Sequence, residues 1–367
     1  VTTSQTGITD PGSSPSSEQA SESVSPTTSP RATTKARKDP GPTVKVPASI
    51  DATGKKNVQP ALQSLIDDTP DGSTIVFKAG GTYKLHRFLR IAGRKGITLD
   101  GNGATLKLSG TGFAGGGIFI ESQSRDTTVR DLTLVGNHAA GGTKDACCGN
   151  EAQRGISVWG STNTLIERVE VRRVGGDCFG VEAHDKRVWS DGVVIRDSVC
   201  KLNGRMGVHL AAGSNVRIVD SVWDDIGYAV FASEPNAGNL GAKGVVIRNN
   251  TVGRYSLTSN YKGWLFYACD AAWGGGATVS DVTITGNTVA GNTAAKDGRT
   301  VGLNVLSCDN GVRQNWTITN NSAGKAVAGP VMQLKGIQGV TVTGNKQPLS
   351  SGELATFPGS SGVTYDG

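Results

Sequence analysis

Apolar residues along most of this chain alternate with polar ones in runs of three to eight, and Gly, Asn or Asp interrupts each run. That is the pattern of short strands joined by turns. One phrase, first seen as Gly96-Ile97-Thr98-Leu99-Asp100-Gly101, keeps returning. Aligned on its second apolar residue, it gives Leu99, Val129, Ile166, Ile195, Ile218, Ile247, Ile284, Ile318 and Val342, separated by 30, 37, 29, 23, 29, 37, 34 and 24 residues. A fixed phrase at variable intervals predicts stacked coils with loops of different length. Three residues past the anchors stand Asn102, Leu132, Val169, Ser198, Ser221, Asn250, Asn287, Asn321 and Asn345. Asn tolerates a left-handed turn, and its amide can bond the same amide one coil on. The spacing therefore predicts a ladder of turn asparagines, which a sandwich of strands that double back does not produce.

A second strand recurs between the anchors, in Gly117-Ile118-Phe119-Ile120, Gly155-Ile156-Ser157-Val158, Gly180-Val181-Glu182-Ala183, Gly207-Val208-His209-Leu210, Ala229-Val230-Phe231-Ala232 and Gly302-Leu303-Asn304-Val305. Alternation turns the third residue outward, so Phe119, Ser157, Glu182, His209, Phe231 and Asn304 are expected in one external column. Coils one strand spacing apart, roughly 4.8 Å, would make Glu182 and His209 neighbours. Ahead of the coils, Asn57 is placed to cap a helix whose apolar face is Val58, Leu62, Leu65 and Ile66, and Asp71-Gly72 turns into the strand Ser73 to Phe77.

Composition divides the chain. Residues 1–43 are rich in Ser, Thr and Pro and read as a disordered tether, leaving 44–367 as the folded domain. The 52 Gly among 367 residues favour many turns over thick helices. A net charge of +6 comes with no long Lys/Arg block and no aromatic-basic recognition motif, so nucleic acid is not an expected partner, and no apolar run has the length of a membrane span. The six Cys show no CxxC spacing for zinc. Cys269-Asp270 and Cys308-Asp309 fall at matching ends of successive coils and are expected to bridge, adjacent Cys147 and Cys148 are not expected to pair, and Cys178 and Cys200 are left without assigned partners.

The opening Ile50-Asp51-Ala52-Thr53-Gly54, then Gly72-Ser73-Thr74-Ile75-Val76-Phe77 and Gly81-Thr82-Tyr83, resembles the entry to pectate-lyase-like β-helix proteins of the exported bacterial type. The coils resemble that superfamily to about residue 345. The resemblance implies an all-β, right-handed parallel β-helix of about nine or more coils behind a short N-terminal capping helix. It also implies a secreted or cell-wall-associated chain, expected to work as a monomer on a polysaccharide. The superfamily contains lyases, hydrolases, epimerases and non-catalytic adhesins, so the fold alone does not choose among them.

The middle coils hold the densest chemistry. Asp177, Glu182, His209 and Glu234 are the candidate catalytic residues, with His184, Asp185, Arg205, Asp224, Asp225, Trp159 and Tyr267 as candidate substrate-binding residues. Glycoside hydrolysis needs one carboxyl to protonate the leaving oxygen and another to activate water or attack carbon, and this block supplies several. Gly176-Asp177-Cys178 faintly resembles the Asp-Asp-Cys phrase of polygalacturonase-like members, with Gly176 in place of the first Asp and no Asn-Thr-Asp phrase before it. A glycoside hydrolase is the leading expectation. A lyase or epimerase acting on a uronate polymer is the enzymatic rival, using Arg205, His209, Lys186 or Arg187, with Ca2+ held by Asp177, Asp185 or Glu182. An adhesive or glycan-binding β-helix is the third reading. Asp224-Asp225 reads as a polar turn in preference to paired acids, and Trp159, Trp189, Tyr267 and Trp273 as sugar platforms or packing.

Overall fold

The computed structural model describes residues 41–110, 115–138, 152–235, 237–257, 263–269, 276–290, 301–308 and 311–367. Most of the tether, together with Cys147, Cys148 and Trp273, lies outside them. Among the described residues the strands form a 21-stranded sheet, a 10-stranded sheet and a two-stranded pair, and the pairings between strands are parallel.

One coil shows how the sequence builds the rest. Leu165–Arg172 runs as a strand but bends at Arg168, whose φ of 52° is left-handed, so Leu165–Glu167 and Val169–Arg172 lie on two different faces of the large sheet. A turn then leads into Phe179–Glu182 of the ten-stranded sheet, the third face. The bend repeats at Asp131, Asp197, Asp220, Asn249, Gly286, Asn320 and Gly344, all with positive φ. This corrects one expectation. At these corners the left-handed residue stands one position before the predicted one, and apart from Arg168 it is Asp, Asn or Gly, which tolerate that conformation; Asn102 alone is itself left-handed, at φ 49°.

All nine anchors stack in register, from Leu99 on Val129 to Ile318 on Val342, and the column extends to Val44 and Ile75 at one end and Tyr365 at the other. The ladder itself is present. Asn250 Nδ2 donates to Asn287 Oδ1, Asn287 Nδ2 to Asn321 Oδ1 and Asn321 Nδ2 to Asn345 Oδ1, each at 2.9 Å. Serines prolong it upstream: Ser221 N donates to Asn250 Oδ1 at 3.2 Å and Ser198 N to Ser221 Oγ at 3.1 Å. Asn102 is not a rung; it lies in an irregular stretch where Ala104 takes the position opposite Leu132.

The helix Gln59–Asp68 buries Leu62 and Ile66 against the first coils. Its N-cap is Val58, one residue later than expected, with Pro60 in the first turn; Asn57 Oδ1 instead accepts from Gln59 N and His86 N, both at 3.2 Å. Cys269 and Cys308 bridge, and Cys178 pairs with Cys200, both sulfurs buried inside the coil.

Candidate functional site

Strand pairing in the ten-stranded sheet corrects the external column. Register runs Arg90, Phe119, Ser157, Gly180, His209, Ala232, Tyr267, Leu306, Gln333. Phe231 faces the core, where its ring meets Trp223, and Asn304 precedes its strand, accepting from Tyr255 Oη at 3.2 Å. Glu182 is two residues further along, opposite Trp159. The phrase Gly180-Val181-Glu182 misled because Phe179, not Val181, matches Ile156 and Val208. Glu182 and His209 still meet on the diagonal, Oε1 to Nδ1 at 3.4 Å, without hydrogen-bond geometry.

Around that contact the turns entering three successive strands converge. Asp177, with no exposed surface, receives Arg205 Nη1 on both carboxylate oxygens at 3.2 and 3.0 Å and the Met206 amide at 3.2 Å. Arg154 Nε lies 3.5 Å from the same carboxylate and its Nη1 bonds Glu182 Oε1. Arg205 Nη2 reaches Glu234 Oε2 at 2.9 Å. Two guanidiniums thus bind three carboxylates, with His209 on the floor beneath. Gly180 lies beside this contact: a Cβ there would come within 3.1 Å of Ser157 Oγ and touch Glu182 Oε1 and Arg154 Nη1 at ordinary contact distance.

The electrostatics follow from burial and these neighbours. Burial alone would raise the Asp177 carboxyl, but Arg205 and Arg154 outweigh it and hold the group below its ordinary range. Burial takes His209 down to about 4, against the pull of Asp177, so the imidazole is neutral at pH 7. Tyr228 and Tyr267, ring centroids 6.0 Å apart and close to Glu234, are pushed up by burial and by that carboxylate and stay protonated donors.

Asn203 locks the turns together from inside. Its Nδ2 donates to Gly176 O at 3.1 Å and Met206 O at 2.5 Å, and its Oδ1 accepts from Gly227 N at 3.3 Å. It therefore grips the residues beside Asp177, Arg205 and Tyr228 in three coils, while the disulfide fixes Cys178 next to Asp177.

Of the expected residues, Asp177, Glu182, Arg205, His209 and Glu234 come together, with Tyr267 at one side and Trp159 at the other. Trp159 continues a row of rings through Phe119, 5.1 Å away, to Phe88. His184 and Asp185 instead face each other at 3.3 Å in the turn after Glu182, where Asp185 is largely exposed. That turn is clasped to another loop by Trp189 Nε1 on Asn239 O at 3.1 Å and Asn239 Nδ2 on Lys186 O at 2.6 Å. Asp224 and Asp225 lie in the large sheet and hold Arg254, Asp224 Oδ1 accepting its amide at 2.8 Å and Asp225 pairing with its guanidinium. The calcium set a lyase would draw on is dispersed: Asp177 and Glu182 are taken up by arginines and Asp185 stands apart. Among the described residues no three His, Cys, Asp or Glu gather as metal ligands.

Sequence reasoning missed Arg154, Tyr228 and Asn203. Arg154 has a readable signal, since it stands two residues before an inward Ile156 as Asp177 stands before Phe179.

No curated protein sequence matches this chain. In fold it is similar to the alginate lyase from Paenibacillus sp. str. FPU-7, with TM-score 0.54, 16% identity and coverage of 88% of this chain and 99% of that one. The family 28 exopolygalacturonase of Yersinia enterocolitica gives TM-score 0.56 at 11% identity over 89% of this chain and 78% of that one. The tailspike protein of E. coli bacteriophage HK620, as a double mutant, gives 0.53 at 13% over 88% and 65%. Such identities speak to fold alone. The sequence matches the right-handed β-helix region over residues 86–252 and again over 155–347, and the chain belongs to that family.

Proposed function

We propose that the chain is an extracellular glycoside hydrolase whose polysaccharide lies across the outward face of the ten-stranded sheet. The observation that carries this is the placement of Glu182 and Glu234. Each follows directly on the paired residues Val181, Leu210 and Ser233, so the two share one strand position two coils apart, with Ala211 between them. Each keeps part of its side chain open to solvent, and each is held by one guanidinium.

Two strand steps amount to roughly 9.6 Å. Hydrolysis with inversion uses carboxyls about 6.5–9.5 Å apart so that a water fits, and retention uses about 5 Å. A backbone spacing of about 9.6 Å lies nearer the inverting separation than the retaining one, and inversion is the expected outcome. In this reading Glu182, bonded to Arg154, and Glu234, bonded to Arg205, are the two reacting carboxyls, one drawing a proton from water while the other gives its proton to the leaving oxygen. Asp177 touches no substrate and positions both arginines. Neutral His209 lines the floor, and Trp159 and Tyr267 offer ring faces to the sugars on either side.

Two further facts agree with the reading. Proteins of this fold include ones named for alginate, polygalacturonate and phage tailspikes, and the two disulfides suit an oxidising space outside the cytoplasm.

The test is incubation with a panel of neutral and acidic polysaccharides, following new reducing ends and unsaturated uronate absorbance in parallel. Reducing ends without unsaturation, lost in Glu182→Gln and in Glu234→Gln while circular dichroism stays unchanged, are expected. Unsaturated products, or full activity in both variants, would overturn the assignment.

A further inference from the structure

We infer that the glycan held by this site is uncharged, a polymer of hydroxyl-bearing rings without carboxylate or sulfate. The inference rests on the hydrolase reading and specifies its substrate class.

The first support is the sign of the face. Within the strands of the ten-stranded sheet the outward charged side chains are Arg90, Glu121 and Glu182, and Arg90 is already paired with Glu121. Glu234 adds a carboxylate, and Lys335 stands only at the far end, beyond Leu334. Along these strands acidic side chains thus outnumber basic ones, and the two arginines that reach in from the turns, Arg154 and Arg205, are both engaged by the site's own acids. Other basic side chains lie elsewhere: Arg130, Arg168 and Arg196 project from the large sheet, bonded to Asp100, Asp131 and Glu167.

The second support is how the two nearby guanidiniums are used. Arg205 already binds Asp177 through Nη1 and Glu234 through Nη2, and Arg154 spans Asp177 and Glu182. An incoming uronate would meet guanidiniums whose charge is already matched by the site's own carboxyls, so the cluster offers it no spare counter-charge. Gaining an arginine for itself would strip a carboxylate of its partner, Asp177 being fully buried. A hydroxyl meets no such conflict. Glu182 and Glu234 accept from it, Tyr267 donates to it, and the Trp159 and Tyr267 rings offer faces to the C–H side of a sugar.

The experiment is affinity electrophoresis of the full chain in gels cast with neutral polysaccharides (a glucan, a galactomannan, a xylan) or with alginate or polygalacturonate, at physiological salt and at high salt. Retardation by a neutral polymer, persisting at high salt and weakened about tenfold in Tyr267→Ala, is expected. Polyuronate retardation that salt abolishes and Tyr267→Ala leaves alone comes from the basic faces and agrees with the inference. Polyuronate retardation that Tyr267→Ala weakens would overturn it while leaving the glycan site in place. Retardation by no polymer would remove the hydrolase reading itself, and the inference with it. Glu234→Gln supplies a second arm: by removing one repelling charge it should raise polyuronate affinity, and an unchanged or lower affinity counts against the argument.

Discussion

Replacing Asn287 by Ala tests whether the buried amide ladder holds the coils together. Asn287 has no exposed surface. Its Oδ1 accepts from Asn250 N and Asn250 Nδ2, and its Nδ2 donates to Asn321 Oδ1 and to Ile247 O at 3.0 Å. Truncation takes from Asn250 N its side-chain acceptor and from Ile247 O one of its donors. Asn250 Nδ2 keeps Ile218 O and Arg248 O, and Asn321 stays bonded to Asn345. One stranded amide at about 1–3 kcal/mol, plus the lost bonds to Ile247 O, Asn250 Nδ2 and Asn321 Oδ1 at about 0.5–1.5 kcal/mol each, gives a loss of about 3–5 kcal/mol. With an m-value of about 3 kcal/mol/M, the urea midpoint of the full chain should fall by more than about 1 M. Asn287→Ser should recover part of this, because Ser221 in the same column already accepts the amide of the coil before it. Asn345→Ala, at a half-exposed rung where water can replace the amide, should cost only about 1 kcal/mol. Equal losses at Asn287 and Asn345, or a loss below about 1 kcal/mol at Asn287, would refute the ladder as a source of stability.

Four other outcomes are expected. His209 titrates near 6.5 unfolded and about 4 folded, so acidification between those values protonates only the unfolded chain and removes roughly 3 kcal/mol of stability; His209→Gln should flatten that window. Asp177, held below its ordinary value, adds a separate loss as pH falls through the acid range below 3.8, which Asp177→Asn should abolish in a pH series of urea midpoints. Asn203→Ala should depress kcat about tenfold or more with KM little changed, because the turns bearing Asp177, Arg205 and Tyr228 lose their shared tie; a purely thermal effect with normal kcat would show the tie is structural only. The Cys178–Cys200 bridge closes a loop of 22 residues worth about 3 kcal/mol, and thiol reagents should reach it only on unfolding, as mass spectrometry after reduction in native buffer would report.

The coils were legible because their signal is strictly periodic. Nine anchors fix eight registers, since one slip would turn every apolar residue outward. The ten-stranded sheet was harder to read, its strands being only two to four residues long and its phrases beginning with Gly as often inside the turn as inside the strand. That cost two residues of register at Glu182 and one at Phe231. Residue types marked Asp177, Arg205, His209 and Glu234 correctly as neighbours. Arg154, Asn203 and Tyr228 stayed hidden because their importance lies in contacts across 23 to 39 residues of intervening chain. Cys178 and Cys200 could not be paired for a similar reason: one lies at the start of the third face and the other on the second, and only the stacking of one coil on the next brings them together.

The same stacking explains why stability and chemistry can be altered separately here. The ladder, the anchor column and the aromatic contacts of Trp223 and Trp316 lie inside the prism and repeat from coil to coil, so each rung is replaceable by another group that fits. The charged cluster lies outside, where the turns entering the third face vary and nothing in the repeat dictates Asp177, Arg205 or Tyr228. Gly175, Gly204 and Gly227 let those turns stack closely, because a Cβ on Gly204 would strike the Gly175 carbonyl and one on Gly227 the Gly204 carbonyl. The glycines bring successive backbones into contact, Asn203 ties them, and the side chains between are left to be chosen for chemistry. Substitutions within that choice, such as Glu182→Gln, should then leave the urea midpoint nearly unmoved, whereas changes to the glycines or to Asn203 should disturb the site and the stacking together.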